Sequence, residues 1–239
     1  MVWPEMSVAS SPLDHPSLRD RISAIPRANK VYCIVPFSDA RLDMNRLAVF
    51  DPRGEIVGVT SKLKPAWVVG EQAVGARDWT VHGTDMGVLG ACICYDAYFP
   101  AIPSRLAAAG ASVLVVPALS VCPEGAMRYA PLIAVMRAVE NRVPVVWAEP
   151  MASSLIVDSR GHIVSCAGEG QQVAVATVRA NPRASLYART GGVIPAILAA
   201  VAAIAGAAIA IRRAVAQDRN RPGKADPESP GPARQEAMK

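Results

Sequence analysis

The sequence predicts a mixed α/β (α+β) domain over residues 1–190, followed by a single transmembrane helix. Strand-length apolar runs alternate with helical segments along the first 190 residues. The 22 residues between Arg189 and Arg212 then carry no charge. Hydrophobic residues form 51% of the 239-residue chain and charged residues only 19%, against about 25% in ordinary soluble proteins. This composition excludes a wholly disordered chain.

The first predicted elements are strands. Residues 2–5 form a short apolar strand that ends in a carboxylate, and residues 31–37 form a continuous apolar run typical of a buried strand. Residues 46–59 predict a hairpin, since Pro52 suits the first inner position of its turn and Gly54 suits the exit. Residues 86–94 are continuously apolar, as in a strand buried on both faces.

Helices alternate with strands in the second half of the domain. Residues 101–110 predict a helix that Gly110 terminates, and residues 112–116 predict the next strand. Residues 127–141 carry apolar side chains at helical spacing, and a strand follows over residues 143–147. The last predicted strands are residues 154–158, 162–164 and 172–177.

The C-terminal apolar segment has the length of a membrane span. Its core, residues 193–211, reaches about 29 Å as a helix, which matches the hydrocarbon thickness of a bilayer. The alternative is a buried, alanine-rich core helix. We therefore predict an N-terminal globular domain over 1–190, a transmembrane helix over 191–211 and a disordered basic tail over 212–239.

Charge on the two sides of this span predicts its orientation. Five basic residues follow the span closely and three precede it: Arg212, Arg213, Arg219, Arg221 and Lys224 against Arg179, Arg183 and Arg189. The positive-inside rule then places the tail in the cytoplasm and the domain outside it, anchored in the cell membrane by a single C-terminal span. No signal peptide opens the chain, which alone favours a cytoplasmic domain.

Composition argues against two classes of function. The net charge is only +5, and basic residues are not interleaved with aromatic ones, so nucleic-acid binding is not predicted. The five cysteines form no CxxC pair and no cluster with zinc spacing. An odd number of cysteines leaves at least one free thiol, which raises the question of a single reactive cysteine.

Cys94 is the candidate nucleophile because it lies at the end of a predicted buried strand, where functional groups of α/β sheets collect. A buried structural cysteine is the alternative, and Cys92, two residues deeper, suits that role better. Taken singly, Glu5 would be a solvated strand-end residue and Lys62 a surface lysine.

Together these residues belong to an ordered set of motifs that resembles the carbon–nitrogen hydrolase (nitrilase) superfamily over residues 2–190. The matching motifs are Trp3-Pro-Glu5, Asn45, Gly54 to Lys62, Gly70-Glu71, Cys94-Tyr-Asp96, Phe99-Pro100, Arg105, Gly110-Ala111, Arg137-Ala-Val-Glu140, Val143-Pro-Val-Val146 and Asp158-Ser-Arg-Gly161. Within the superfamily, the chain is most similar to the catalytic domain of the apolipoprotein N-acyltransferases. Three features carry that similarity: Trp-Pro-Glu, Cys-Tyr-acid, and Leu186-Tyr-Ala-Arg-Thr-Gly191 running into a final apolar helix.

The resemblance implies a nitrilase-like α-β-β-α sandwich and a Glu–Lys–Cys mechanism without metal or organic cofactor. It makes Glu5 the general base, Cys94 the nucleophile that forms a thioester, and Lys62 the group that stabilises the oxyanion. Glu71 and Asp96 are expected to support the site. Lys64 competes with Lys62, which fits the distance from Gly54 better.

The implied substrates are a phospholipid acyl donor and the N-terminal amine of a lipoprotein. The alternatives are a standalone amidase acting on a small amide, and a truncated, non-catalytic remnant that binds a partner. Exposed apolar loops such as Ala66-Trp-Val-Val69 would favour the acyltransferase. Family domains also pair through helices beside the site, so a homodimer is a further expectation of the resemblance.

The chain departs from the family pattern in four places. It starts inside the Trp-Pro-Glu motif, so we expect the sandwich to lack its first strand and helix, Glu5 to sit on a frayed end, and an N-terminal membrane part or partner to be missing. The loops after Val116 and before Ser154 lack the usual asparagine patterns, and Asp96 replaces glutamate. These last changes leave the nucleophile in place but bear on the substrate.

Overall fold

Two β-sheets form the centre of the first of two units into which the chain divides. The units are Met1–Gly191 and Gly192–Lys239. The computed structural model describes residues 1–67, 70–77, 79–119, 129–151, 153–168, 172–191 and 193–219.

The two sheets contain three and six strands. The antiparallel three-stranded sheet consists of β1 (Cys33–Asp39), β2 (Met44–Phe50) and β3 (Ile56–Ser61). The six-stranded sheet is ordered β4-β5-β6-β7-β8-β9: Val81–Thr84, Gly87–Ala91, Val113–Pro117, Val145–Ala148, Ser154–Val157 and Ile163–Ala167. Strands β5, β6 and β7 are parallel, and the other neighbours in this sheet are antiparallel. The crossovers between parallel strands contain helices, as such connections require.

Among the described residues of this unit, four α-helices and one 3-10 helix accompany the sheets: α1 (Pro16–Asn29), the 3-10 helix Cys94–Tyr98, α2 (Ala101–Ala108), α3 (Ala130–Asn141) and α4 (Leu186–Thr190). On β1, alternate side chains point to opposite faces. Val35 and Phe37 pack with Ile22 of α1, whereas Ile34 packs with Leu89 and Val115 of the facing sheet.

The outer face of the six-stranded sheet forms the third buried cluster. It packs Trp147 of β7 against Leu106 of α2, Ala134 of α3 and Ala188 of α4. The layers are therefore α1, the small sheet, the large sheet, and the other three helices. This arrangement confirms the expected α-β-β-α sandwich.

Helix α1 is an element for which no prediction was made. Its apolar residues Leu18, Ile22 and Ile25 fall on one helical face and were an available signal, but Pro26 and the polar residues between them weaken it. Pro26 lies in the last turn of the helix, so it does not interrupt the earlier turns. The helix ends at Asn29, and Lys30 follows in a left-handed conformation.

Other differences concern strands. The predicted strand over residues 172–177 is wrong: the segment is not in a sheet, and Val173 and Val175 are 83% and 78% exposed. Its alternating pattern suits a strand, but β9 ends the sheet among the residues the structure describes. Residues 2–5 contribute one parallel bridge, between Val2 and Ile34. The run over 86–94 is a strand only over Gly87–Ala91.

The second unit contains a long apolar helix, α5 (Val193–Arg219). Within it, Ala196–Ala216 is long and apolar enough to cross a membrane. The helix continues eight residues past the predicted end at 211, because Arg212 to Arg219 include several good helix formers and no breaker. Residues 212–219 of the predicted disordered tail are thus helical, and its remainder, 220–239, lies outside the described residues.

Candidate active site

The five predicted site residues come from four separate segments, and the structure brings them together. Glu5 lies in the N-terminal segment, Lys62 directly after β3, and Glu71 in the following loop. Cys94 and Asp96 lie in the 3-10 helix that follows β5. Strand β3 belongs to the small sheet and β5 to the large one, so the site lies where the ends of the two sheets meet.

A buried lysine between two carboxylates is the centre of this cluster. The Lys62 Nζ atom donates to Glu5 Oε1 at 2.8 Å and to Glu71 Oε2 at 2.6 Å, and the Lys62 side chain is 3% exposed. Burial opposes the charge of Lys62, but the negative charge of Glu5 and the hydrogen bonds that Lys62 donates to both glutamates outweigh burial and raise the pKa of Lys62 above its usual value. Lys62 is therefore an ammonium at any physiological pH.

Asn45 on β2 joins the same two glutamates. Its Nδ2 atom donates to Glu5 Oε1 at 2.6 Å and lies 3.4 Å from Glu71 Oε1, and its backbone oxygen accepts from the Lys62 N–H at 2.8 Å. Asn45 matches the family pattern, but the sequence alone gives it no role. Its position shows that it orients both carboxylates toward the lysine.

Glu5 is well anchored, so the expectation of a frayed end is wrong. Its side chain is buried, and its Oε2 atom accepts from the Leu119 N–H at 3.0 Å. The Glu5 N–H donates to Ala118 O at 3.2 Å, and the Trp3 N–H donates to Ile34 O at 3.0 Å. The N-terminal segment thus lies along β1 on one side and meets the end of β6 on the other, which holds the carboxylate in place.

Cys94 occupies a sharp backbone turn. Its φ of 48° lies in the left-handed region, which a residue other than glycine rarely adopts and which is frequent at active sites. Its Sγ atom is 4.0 Å from Leu119 O. Burial, reinforced by the negative charge of Glu5, raises the pKa of the Cys94 thiol, with Lys62 opposing the shift. The resting sulfur is thus protonated, and attack on a carbonyl requires a base to take its proton.

Cys92 differs from Cys94 in its surroundings. It is almost completely buried in the core cluster beneath the large sheet, and burial raises the pKa of its thiol. These properties agree with an inert structural cysteine, as its depth on the strand predicted.

Asp96 joins the cysteine turn to the lysine segment. Its Oδ1 atom accepts from the backbone N–H groups of Leu63 at 3.1 Å and Lys64 at 2.7 Å, and its Oδ2 atom accepts from the Ile93 N–H at 3.0 Å. Burial raises the pKa of Asp96 to about 6, although these hydrogen bonds favour the carboxylate. The shorter side chain therefore still reaches its partners from both segments.

Lys64, the competing lysine, takes another position. It is exposed, and its Nζ atom lies 5.6 Å from the centre of the Phe99 ring. Among the described residues it forms no ion pair with Glu5 or Glu71. The geometry therefore distinguishes the two lysines in favour of Lys62.

Parts of the surrounding loops lie outside the described residues. Of the apolar segment 66–69, Trp67 is 75% exposed, and residues 68 and 69 are not described. Residues 120–125 of the loop after β6 and residue 152 also lie outside the described residues. Within the described parts of the chain, no group of three His, Cys, Asp or Glu side chains could hold a metal ion.

Comparison with known proteins gives matches over this whole unit. The family model for carbon-nitrogen hydrolases matches residues 1–186. An apolipoprotein N-acyltransferase of Geobacter metallireducens is 28% identical over 241 aligned residues, which cover 89% of this chain and 46% of that protein. An omega-amidase of Saccharomyces cerevisiae, NIT3, is 31% identical over 165 residues, which cover 62% and 53%. The chain spans about half the length of these relatives.

Solved structures share the fold. The Saccharomyces cerevisiae Nit3 structure, described as a member of branch 10 of the nitrilase superfamily, aligns with a TM-score of 0.64 at 24% identity, covering 73% of this chain and 74% of that one. An amidase from Nesterenkonia sp. aligns with a TM-score of 0.61 at 21% identity, covering 73% and 76%.

Proposed function

Because the chain belongs to the carbon-nitrogen hydrolase family, we propose that it is a membrane-anchored thiol acyltransferase, which moves an acyl group from a phospholipid to the N-terminus of a lipoprotein through a Cys94 thioester. The observation that carries this proposal is the buried Lys62 ammonium, held between Glu5 and Glu71 beside the Cys94 turn. A base, a cation and a thiol are the three groups that acyl transfer through a thioester needs.

In the first half-reaction, Glu5 takes the proton of the Cys94 thiol as Sγ attacks the carbonyl carbon of the acyl ester. The new C–S bond leaves an oxyanion, which the Lys62 ammonium and a backbone N–H after Cys94 stabilise. The C–O bond to the glycerol then breaks, and Glu5 returns the proton to the leaving alkoxide. The products are a lysophospholipid and the Cys94 thioester.

In the second half-reaction, the amine of the acceptor attacks the thioester carbonyl. Glu5 takes one amine proton, and collapse of the tetrahedral intermediate breaks the C–S bond. The thiolate recovers its proton from Glu5, and the amine leaves as an amide. The thiol is favoured at rest because the pKa of Cys94 is raised, so the leaving sulfur is readily reprotonated.

Two observations support the choice of lipid substrates. Helix α5 contains a candidate span of 21 residues, long enough to hold the enzyme at a bilayer, and tethering raises the effective concentration of lipid substrates. Trp67, in the same loop as Glu71, is 75% exposed, and tryptophan favours the interface of a membrane. We further propose that the domain lies outside the cytoplasm and the tail inside, following the charge bias around the span.

Hydrolysis of a small amide is the second candidate. The 31% identity with an omega-amidase favours it, since the same base, cation and thiol would serve amide hydrolysis with water as acceptor. The two functions differ in the acyl donor that the site accepts and in whether activity depends on a membrane.

The test is the intact mass of the full chain, solubilised in detergent and incubated with phospholipid or with a small aliphatic amide. Wild type is compared with Cys94→Ala, and Cys166→Ala is the matched control because Cys166 is an exposed thiol. We expect a fatty-acyl mass increment in wild type and in Cys166→Ala that is absent in Cys94→Ala.

Other outcomes would decide against the proposal. Release of ammonia from the amide, without a lipid-derived increment, would establish the amidase instead. Neither product from a protein with a cooperative unfolding transition would indicate a non-catalytic domain.

A further inference from the structure

The segment that leads from the domain to α5 is basic and contains no acidic residue. No Asp or Glu occurs between Glu169 and Asp218 in the sequence. Arg179, Arg183 and Arg189 are exposed, as is Arg142 at the C-terminus of α3. We call these four arginines the exit patch. None of them forms an ion pair within the part of the chain that the structure describes.

Hydrogen bonds hold this segment against the end of α3. Asn181 donates from Nδ2 to Arg142 O at 2.6 Å, and its Oδ1 atom accepts from the Arg183 N–H at 3.1 Å. The Asn181 N–H donates to Ser112 O at 3.0 Å. Arg142 and Arg183 are therefore carried by fixed backbone, on a folded surface.

Helix α4 fixes the last arginine in the same way. Ser185 caps this helix by accepting from the Ala188 N–H at 2.9 Å, and its hydroxyl donates to Glu140 O. Ala188 is buried in the core beneath α2 and α3. Arg189, the next residue, is thereby held at the surface of the domain, two residues before the unit ends at Gly191.

The acidic residue of α3, which lies close in sequence to Arg142 of the patch, is already paired with another arginine. Glu140 is the one carboxylate in α3, and it lies 2.8 Å from the buried Arg137 guanidinium. The C-terminus of α3 contributes its own carbonyl groups, but Asn181 and Ser185 already occupy part of that end. Within the described part of the chain no carboxylate pairs with the exit patch, so its positive charge can be neutralised by a soluble anion or an anionic surface.

We propose that the exit patch binds the phosphate groups of anionic lipids in the leaflet that α5 enters, an inference that rests on the membrane anchoring proposed above. The candidate span begins at Ala196, seven residues after Arg189, so even a fully extended chain keeps Arg189 within about 25 Å of it. Guanidinium groups bind phosphate oxygens in pairs of parallel hydrogen bonds, and basic residues beside a span are drawn to anionic headgroups.

This role accounts for basic residues on the side of the span where the orientation rule disfavours them. Three arginines precede the span and reduce the charge difference that orients it. Headgroup binding would also bring the ends of α3 and α4 to the membrane surface.

The test uses the full chain in nanodiscs of phosphatidylcholine, with phosphatidylglycerol added as about one third of the lipid, followed by native mass spectrometry of the retained lipids. We expect the ratio of phosphatidylglycerol to phosphatidylcholine among the lipids retained by wild type to exceed the bulk ratio about tenfold or more, since several arginines act together. Combined replacement, Arg142→Gln with Arg179→Gln, Arg183→Gln and Arg189→Gln, should abolish the enrichment. The control removes three arginines on and beside α1, Arg19→Gln with Arg21→Gln and Arg41→Gln, and should keep the enrichment.

Each outcome decides a different claim. Failure of wild type to enter nanodiscs would overturn the membrane anchoring and this inference with it. Entry without phosphatidylglycerol enrichment, or equal enrichment in the patch variant, would overturn this inference alone. Should the patch variant fail to fold, Arg183→Gln and a salt titration of wild type replace it, because headgroup binding must weaken at high salt. Enrichment unaffected by salt would contradict electrostatic binding.

Discussion

Asp96, two residues after Cys94, accepts a hydrogen bond of 2.7 Å from the backbone N–H of Lys64, two residues after Lys62. This bond, with a second one from the Leu63 N–H, connects the turn that carries the thiol to the segment that carries the ammonium. The distance between nucleophile and cation therefore depends on the charge of one buried carboxylate.

Replacing that carboxylate should change the pH dependence of the reaction. The pKa of Asp96 is raised to about 6, so the carboxylate form that accepts these bonds is lost below that pH. We expect kcat/KM of wild type to fall as the pH drops through about 6. Asp96→Asn should remove this acidic limb and lower kcat/KM at pH 8 by about 10- to 100-fold, the cost of a small misplacement. An unchanged limb in Asp96→Asn would assign it to another group.

Stability should respond to pH in the opposite direction to activity. The pKa of Asp96 is raised from 3.8 in the unfolded chain to about 6 in the folded one, so the native state binds the proton more tightly. The contribution of this group to the free energy of unfolding is fully present below about pH 4 and is lost as the pH rises through 6. Urea unfolding at several pH values, compared between wild type and Asp96→Asn, measures this contribution. A larger wild-type advantage at pH 7 than at pH 4.5 would contradict it.

The two lysines should differ sharply when each is replaced by methionine. Lys62→Met leaves the buried Glu5 and the partly buried Glu71 without their cation, which should abolish activity and lower the free energy of unfolding by about 3–5 kcal/mol. Lys64→Met changes an exposed side chain and should cost less than about 0.5 kcal/mol. Chemical unfolding and thioester formation of both variants test the assignment, and a larger loss in Lys64→Met would reverse it.

Replacing Glu5 and Glu71 one at a time should distinguish the general base from a positioning residue. Glu5→Gln removes the proton acceptor, so acylation of Cys94 should slow by about 10²- to 10⁴-fold. Glu71→Gln removes one charged partner of Lys62 and should cost about 10- to 100-fold, the worth of a hydrogen bond to a charged group. Single-turnover acylation as a function of pH checks both, since only Glu5→Gln should abolish the dependence on a base. Equal losses with the same pH profile would remove the distinction.

The seam between the two sheets, where Gly58 of β3 meets His82 of β4, gives a prediction about stability. A Cβ atom on Gly58 of β3 would lie 2.2 Å from Nδ1 of His82, a buried ring that hydrogen-bonds Thr60 at 2.8 Å. Gly58→Ala should therefore lower the free energy of unfolding by about 1–3 kcal/mol, and it should reduce activity because β3 leads to Lys62. Gly83→Ala on β4 is the control, since its Cβ would meet nothing within 4 Å. Thermal unfolding compares them, and equal melting temperatures would show that the seam can adjust.

Many features of the fold were predictable from local patterns. The hairpin of β2 and β3 follows from two apolar runs and the turn between them, and the apolar length of α5 follows from composition alone. The pattern failed where tertiary partners decide the structure. Residues 172–177 alternate like a strand but find no sheet partner in the described chain, and α1 forms despite Pro26 because Ile22 packs beneath the small sheet.

The candidate site divides in the same way. Residue types and their order along the chain were sufficient to single out Glu5, Lys62 and Cys94, because chemistry depends on which groups are present and a family motif preserves their sequence. Only the tertiary structure determines which lysine pairs with Glu5, that Asn45 donates a hydrogen bond to Glu5, and that the Glu5 side chain is buried. Glu5 and Lys62 are 57 residues apart, and such long-range pairing arises only when packing of the two sheets brings their ends together.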